Sequence, residues 1–266
     1  MTLTEAPPTP PGGAGRHALA DSATMMGRSV RHVFRAVDAL FVAVLLPIML
    51  LLVFVFVFGG AIRTGGVRYI DYVVPGVILL CAGYSAAATG QAVARDMALG
   101  VIDRFRSMPI ARFSVLAGHV TGSLVRNLIS ASLVVAAALL LGWRPAASPL
   151  AWLAVVGVLL LYVLAVSWVS TVIGLLVRSP EAAEGFGFFM LFLPYLGSGF
   201  VPTSTMPGWL QAFADNQPTT PVTDTLRALL MGTPVGSSGA AAVIWCAVLT
   251  AAAGVTATIL FGRRAR

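Results

Sequence analysis

No lysine occurs anywhere in the 266 residues. That gap removes two large classes of chemistry. A P-loop, G-x-x-x-x-G-K-[ST], sets its lysine on the β/γ-phosphates, so no ATPase of that kind lies within these residues. A Schiff base to retinal or another carbonyl also needs a lysine amine. Charge of either sign is scarce, at 10% of residues, whereas a soluble domain carries about a quarter. Cysteine is limited to Cys81 and Cys246, both inside apolar runs, which excludes a disulfide framework and leaves two small buried side chains. Catalytic clusters are missing too. His17, His32 and His119 belong to no H-E-x-x-H or Cys/His ligand set, and no nucleophile, base and orienting group are grouped. A G-x-S-G match at Gly236 to Gly239 falls in a loop and reads as a flexible linker.

Apolar residues fill the space that charge leaves, at 58% of the chain, with a mean hydropathy of +0.90. Crossing about 30 Å of hydrocarbon takes about 20 residues of helix. Six runs approach that length, at about 40–58, 72–94, 115–141, 150–177, 184–200 and 240–261. The expected fold is therefore an all-α integral membrane protein with six transmembrane helices. Pro47 is tolerated within the first span. Arg178-Ser179-Pro180 reads as the stop of the fourth, and Pro194, Gly197 and Gly199 should break the fifth before it has fully crossed. Residues 201–239 are too long for a structureless loop, so two short re-entrant or interfacial half-helices are expected, one after Pro207 and one over Thr223 to Met231. Trp143 suits the aromatic belt at the end of span three.

Residues 1–24 are rich in Pro, Gly, Ala and Thr and read as a disordered tail with no signal-peptide pattern, ahead of a transmembrane domain over 25–266. From Met25, Val30, Val33, Phe34 and Val37 oppose Arg28, Arg31, Arg35 and Asp38. This is either an amphipathic interfacial helix with arginines toward anionic lipid, or an extension of span one.

The net charge of +7 could suggest nucleic acid, but the arginines cluster at the ends of the apolar runs. With the amino terminus inside, Arg16, Arg28, Arg31, Arg35, Arg95, Arg104, Arg106, Arg112, Arg178, Arg263, Arg264 and Arg266 are cytoplasmic, against Arg63, Arg68, Arg144 and Arg227 outside. That asymmetry orients the chain with both termini in the cytoplasm, in a plasma membrane, and leaves no case for nucleic acid.

Within the spans, Tyr84, Ser85, Thr89 and Gln91 form a polar series that should face other helices or a cavity. Arg126 lies roughly 16 Å along its helix from Val115. An ionisable residue at that depth is a functional candidate. The alternative is a structural arginine buried against Asn127 and an acid such as Glu181 or Glu184. Phe186, Phe188, Phe189 and Phe192 either line a path for an apolar substrate or pack against lipid. Tyr84, Thr89, Gln91, Arg126, Phe188 and Phe192 are the substrate-path candidates.

The most charge-dense run is Arg95 to Pro109, RDMALGVIDRFRSMP. Met97, Val101, Phe105 and Met108 share a helical stripe, with Asp96, Asp103, Arg104 and Arg106 largely opposite, and Pro109 ends the pattern. A short surface helix over about 96–108 fits this order, and a solvated loop is the plainer alternative.

Here a resemblance enters. Gly100-Val101-Ile102-Asp103-Arg104-Phe105-Arg106-Ser107-Met108-Pro109 resembles the E-x-G-x-[LI]-[DE]-R-[LF]-R-x-[TLM]-P signature of ABC-2 type transporter permeases, a family that includes the daunorubicin/doxorubicin-resistance permeases of actinobacteria. Phe200-Val201-Pro202, Met206-Pro207-Gly208-Trp209-Leu210, Asn216-Gln217-Pro218 and Thr225-Leu226-Arg227-Ala228-Leu229-Leu230 with Gly232 resemble the stretch after span five in that family. One departure is Met97-Ala98-Leu99, where relatives commonly carry a glutamate and only Asp96 supplies charge here.

The resemblance implies a bacterial exporter permease for a hydrophobic drug, antibiotic or lipid-like compound. It further implies a coupling helix with Asp96, Gly100, Asp103, Arg104, Phe105, Arg106 and Pro109 as candidates for seating in a separate ATPase subunit. A second permease copy or paralogue would complete a dimer in membrane lipid. No cofactor or catalytic site is expected on this chain; ATP and Mg belong to the partner. The rival is an ion-coupled secondary transporter, which predicts internal repeats and mid-membrane acids, and neither is evident. A membrane-embedded enzyme is disfavoured by the lack of a catalytic constellation.

Overall fold

The computed structural model describes residue 27 and residues 37–62, 64, 66–99 and 112–264. The expected tail, most of the expected interfacial helix and the stretch from Gly100 to Ala111 lie outside the described residues.

Among the described residues every regular element is a helix. In chain order these are α1 (Val37–Val53), α2 (Tyr69–Ala98), α3 (Arg112–Leu140), α4 (Pro149–Leu176), α5 (Pro180–Phe192), α6 (Gly208–Asn216), α7 (Thr219–Met231) and α8 (Ser238–Arg264). A π-helical turn, Phe54–Phe58, continues α1, and a short 3₁₀ turn, Thr203–Thr205, precedes α6. Four segments are long and apolar enough to cross a membrane: Tyr69–Ala98, Leu116–Leu140, Pro149–Leu176 and Ser238–Gly262. The apolar part of the first helical run, Ala43–Phe58, is shorter, and α5 has only 13 residues.

Local chemistry accounts for the helix ends. α4 begins at Ser148-Pro149, where the Ser148 Oγ accepts the Ala151 N–H at 3.2 Å and proline occupies the first turn. The same pair recurs at Ser179-Pro180, with Ser179 Oγ accepting the Ala182 N–H at 3.3 Å. A serine oxygen satisfies a donor that the first turn leaves open, and proline loses nothing where no N–H partner exists. The Arg178-Ser179-Pro180 triplet, expected to stop span four, therefore starts α5, while α4 has already ended at Leu176. The fifth helix accordingly begins at Pro180 rather than near Glu184 and ends at Phe192, with turns through 193–200 ahead of it.

α2 is the axis of the bundle. Its apolar window is 83% buried inside the protein, against 17% for α8, which leaves most of α8 to face outward. α2 packs against α3, α4, α5, α7 and α1. Two glycines set how closely its neighbours approach. A Cβ on Gly174 of α4 would collide with the Gly90 carbonyl of α2, and one on Gly187 of α5 would collide with Ala87 of α2. In lipid, small residues at a helix crossing let backbones meet and gain dispersion contacts that apolar bulk alone does not supply.

The bundle has two ends. At one, α2 terminates at Ala98 and α3 starts at Arg112, beside the start of α5. The other gathers the start of α2, the α3–α4 turn and α7. There Ala146 N–H donates to the Leu230 carbonyl at 2.9 Å, and Arg68 Nη1 to the Gly142 carbonyl at 3.3 Å. Trp143 occupies that turn and is fully buried, meeting Trp152 edge-on with ring centroids 6.4 Å apart. It is thus a core side chain and not a member of an interfacial belt, because the positive φ of Gly142 folds the chain back and turns the indole inward.

Candidate functional site

Pro47 supplies no N–H and its ring crowds the preceding turn within α1. Where α1 passes α2 and α5, a cavity of about 220 Å³ remains. Its walls are Leu46, Pro47 and Leu50 from α1, Leu80 and Tyr84 from α2, and Phe188, Leu191, Phe192 and Tyr195 from α5 and the turn after it. Leu46, Phe188 and Phe192 are exposed, so the cavity opens sideways between α1 and α5.

Helical spacing builds the aromatic wall. Phe188 and Phe192 are four apart and so share a face, with ring centroids 5.2 Å apart in an edge-on pair. Phe192 continues to Tyr195 at 6.0 Å, and Tyr195 stacks on Phe200 at 4.4 Å with only 10° between planes. Such a wall offers large, rigid apolar area with few polar atoms, which suits an apolar or aromatic ligand.

The polar side chains of α2 diverge. Tyr84 lines the cavity. Thr89 is buried and spends its hydroxyl on the Ser85 carbonyl at 2.8 Å, one turn back in its own helix. Gln91 donates to Glu184 Oε2 at 3.2 Å and ties α2 to the start of α5. Thr89 and Gln91 therefore stand apart from the cavity. Tyr84, Phe188 and Phe192 are brought together in it.

Arg126 sits on α3 and is half-buried. Among the described residues no hydrogen bond or ion pair reaches its guanidinium. Neither acid expected beside it is there: Glu184 accepts from Gln91, and Glu181 lies beside Arg95. The adjacent Asn127 is fully buried, with neither amide atom hydrogen-bonded. A charged side chain near the centre of a span costs about 2.5–3.5 kcal/mol on insertion scales. Among the described residues no structural pairing offsets that cost.

The end carrying Ala98 and Arg112 forms a charged rim. Asp96 of α2 meets His119 of α3 at 3.0 Å, a side-chain hydrogen-bond contact that ties the two helices together. The Glu181 carboxyl is held below the ordinary carboxylate range by its own backbone N–H, then by the Ser179 hydroxyl, with Arg95 adding to the effect. The rim thus joins α2, α3 and α5 where the chain enters and leaves residues 100–111. Of the coupling candidates, Asp96 is in this rim; Gly100, Asp103, Arg104, Phe105, Arg106 and Pro109 lie outside the described residues.

At the opposite end Arg227 of α7 is a second centre that sequence reasoning missed. It donates through Nε to the Tyr72 carbonyl at 3.2 Å, through Nη1 to Asp224 at 2.6 Å and through Nη2 to the Ser198 carbonyl. Its guanidinium lies 3.8 Å from the centroid of the Tyr72 ring. Leu46, Pro47, Leu50, Leu80, Leu191 and Tyr195 were missed as well, since a leucine facing a cavity reads the same in a sequence as one facing lipid.

Comparison with known proteins bears on this arrangement. A sequence model of the family described as "ABC-2 type transporter" matches residues 22–231. The chain is 32% identical over 219 residues to the "Daunorubicin resistance ABC transporter permease protein DrrB1" of Streptomyces coeruleorubidus, covering 79% of this chain and 77% of that one. It is 24% identical over 169 residues to the "Probable doxorubicin resistance ABC transporter permease protein DrrC" of Mycobacterium tuberculosis, covering 64% of this chain and 61% of that one.

Proposed function

Since the chain belongs to the ABC-2 type transporter family and is a multi-pass permease subunit without its own ATPase site, we propose that it exports a hydrophobic compound with energy from a separate ATPase subunit. The observation that carries this reading is the side-opening apolar cavity, which gathers Tyr84, Phe188 and Phe192 from two helices. An apolar molecule dissolved in the bilayer reaches such a mouth without first entering water.

Six crossings place both termini in the cytoplasm, in line with the arginine asymmetry. Residues 96–109 then emerge from the charged rim into the cytoplasm, where Asp103, Arg104, Phe105 and Arg106 meet the ATPase. A push on this segment acts on the ends of α2 and α3 together. α2 carries the motion directly to the wall of the cavity, since both Leu80 and Tyr84 belong to it. A second permease copy or paralogue completes the assembly, and the cavity's apolar lining supports a drug, antibiotic or lipid-like compound as the exported molecule.

The test is reconstitution in proteoliposomes with an ABC ATPase subunit that co-purifies with the chain, with phenylnaphthylamine as an uncharged fluorescent probe. ATP-dependent movement of the dye is expected. Arg104→Ala and Phe105→Ala should lose both ATPase co-purification and dye export while the chain keeps its thermal stability. Leu46→Trp should fill the cavity and block export with the ATPase still bound. Unchanged ATPase binding and export in the first two variants would refute the coupling role. Dye transport by the chain alone on an ion gradient would refute the reading altogether.

A further inference from the structure

The hairpin formed by α6 and α7 reaches deep into the bundle. Gly83 lies at the middle of α2, and a Cβ there would stand 3.3 Å from the Met190 carbonyl and 3.4 Å from the Leu191 Cα of α5. Two residues on, the Leu193 carbonyl accepts from Gln217 Nε2 at 3.1 Å and from Thr219 Oγ1 at 3.2 Å. The break between α6 and α7 is therefore near mid-span, within about 30 Å of hydrocarbon. From there α7 climbs about 16 Å, at 1.5 Å per residue from Thr219 to Leu230, to the end where Arg227 meets the Tyr72 carbonyl. α6 is tied to the deep end of α7, since Thr220 Oγ1 donates to the Ala214 carbonyl at 2.5 Å.

The deep end of α6 is not covered. Asp215, Ala212, Asn216, Trp209 and Phe213 are all exposed, Trp209 at 76%. With 3.6 residues per turn they follow one another around one arc, while Ala214, fully buried, turns toward the protein. Hydrocarbon is a poor cover for that arc. A carboxylate at such a depth faces a bundle interior or water, and Asp215 is not in the interior. A helix break there is likewise tolerated only inside protein or along water, and Asn216 at this break is exposed. We propose that the exposed face of α6 lines a water-filled inlet running from the Arg227 end to mid-span, and that Asp215 at its floor receives organic cations. The carboxylate attracts an ammonium, and the exposed rings of Trp209 and Phe213 on the same arc offer it their faces. An anion meets repulsion, and a neutral compound gains the rings alone. The inlet is separate from the side-opening cavity, whose walls come from α1, α2, α5 and the turn after it, and it does not depend on the export reading.

Cysteine modification of the full chain in its membrane reads both parts of this. The probes are two impermeant methanethiosulfonates, one carrying trimethylammonium and the other sulfonate, and Cys81 and Cys246 are buried and give little background. Only a thiolate reacts, and it does not form in hydrocarbon. Every rate is divided by that of the same reagent with Ser237→Cys, which is exposed at the Arg227 end. Asp215→Cys and Asn216→Cys should react from that end within about a hundredfold of Ser237→Cys. Ala212→Cys lies three residues from Asp215, so the two are neighbours about 5–6 Å apart on the helix. There the cationic reagent should gain about tenfold over the anionic one, because one carboxylate at that distance attracts the first and repels the second. Adding Asp215→Asn should abolish this gain, whereas Asp215→Glu should keep it.

Unreactive Asp215→Cys and Asn216→Cys in chains that keep the wild-type melting point overturn the inference, since the arc is then covered by lipid or by a second copy. Equal relative rates of the two reagents at Ala212→Cys overturn it as well, and so does a cation preference that survives Asp215→Asn. Intact cells and inverted vesicles are both treated, so the inlet is scored from whichever side Ser237→Cys faces. ATP-dependent export of phenylnaphthylamine is measured separately, and the export reading can stand or fall without the inlet.

Discussion

A guanidinium donates along three edges and stacks through its face, and Arg227 uses all of these at once. It joins α7 to the first turn of α2 and to the turn that carries Ser198, and it leans over the Tyr72 ring. Lysine cannot reproduce that fork. Arg227→Ala should therefore destabilise the protein by about 2–3 kcal/mol, with Arg227→Lys in between, because the Tyr72 and Ser198 carbonyls lose this donor and Asp224 loses its charged partner, keeping only the Ser198 hydroxyl, in a partly buried site. Thermal unfolding in detergent, followed by tryptophan fluorescence, measures this, and a melting point unchanged in Arg227→Ala would show that water replaces the network at no cost. Little of this was legible beforehand. The sequence marks Arg227 as part of a family-like segment, yet its partner Tyr72 lies 155 positions away, and no local pattern reports such a pairing. The use of the Thr89 hydroxyl was hidden for a related reason. A hydroxyl in an apolar helix looks unspent in sequence, but the helix offers it an acceptor one turn back. Phe188 and Phe192 were legible because a four-residue spacing fixes their common face.

At the scale of elements, the apolar runs are long enough that length alone identified the long helices. The misplaced boundary came from Ser179-Pro180. Proline is a barrier when read from its amino side and a starting block when read from its carboxyl side, and only the serine before it distinguishes the two. Helix contacts were less legible, since glycine is plentiful and the sequence does not say which glycine faces a neighbour. α4 carries a matched pair that makes the point. Gly174 lies against the Gly90 carbonyl of α2, while a side chain on Gly157 would meet nothing within 4 Å. Gly174→Leu should force α2 and α4 apart and cost about 1–3 kcal/mol or more, as overpacking does. Gly157→Leu, on an exposed face of the same helix, should be close to neutral in lipid. Size-exclusion profiles and melting curves of the two variants decide this. Equal behaviour would mean that α2 and α4 do not approach so closely in the membrane.

The whole molecule is a bundle whose two ends do different work, one holding the charged rim around residues 100–111 and the other the Arg227 network and the short helices. That division has functional meaning only if the ends face opposite sides of the membrane. In the proposed orientation the rim faces inward, since arginine resists transfer across the bilayer and is retained on the cytoplasmic side. Cysteine labelling tests this directly, since Cys81 and Cys246 are both buried and give little background. Ser237, just before α8, and Glu181, at the start of α5, are exposed at opposite ends. In intact cells a membrane-impermeant maleimide should label Ser237→Cys readily and Glu181→Cys only after permeabilisation. Labelling of Glu181→Cys in intact cells would place residues 96–109 outside. No cytoplasmic ATPase could then reach them, and the division of labour between the two ends would have to be reversed.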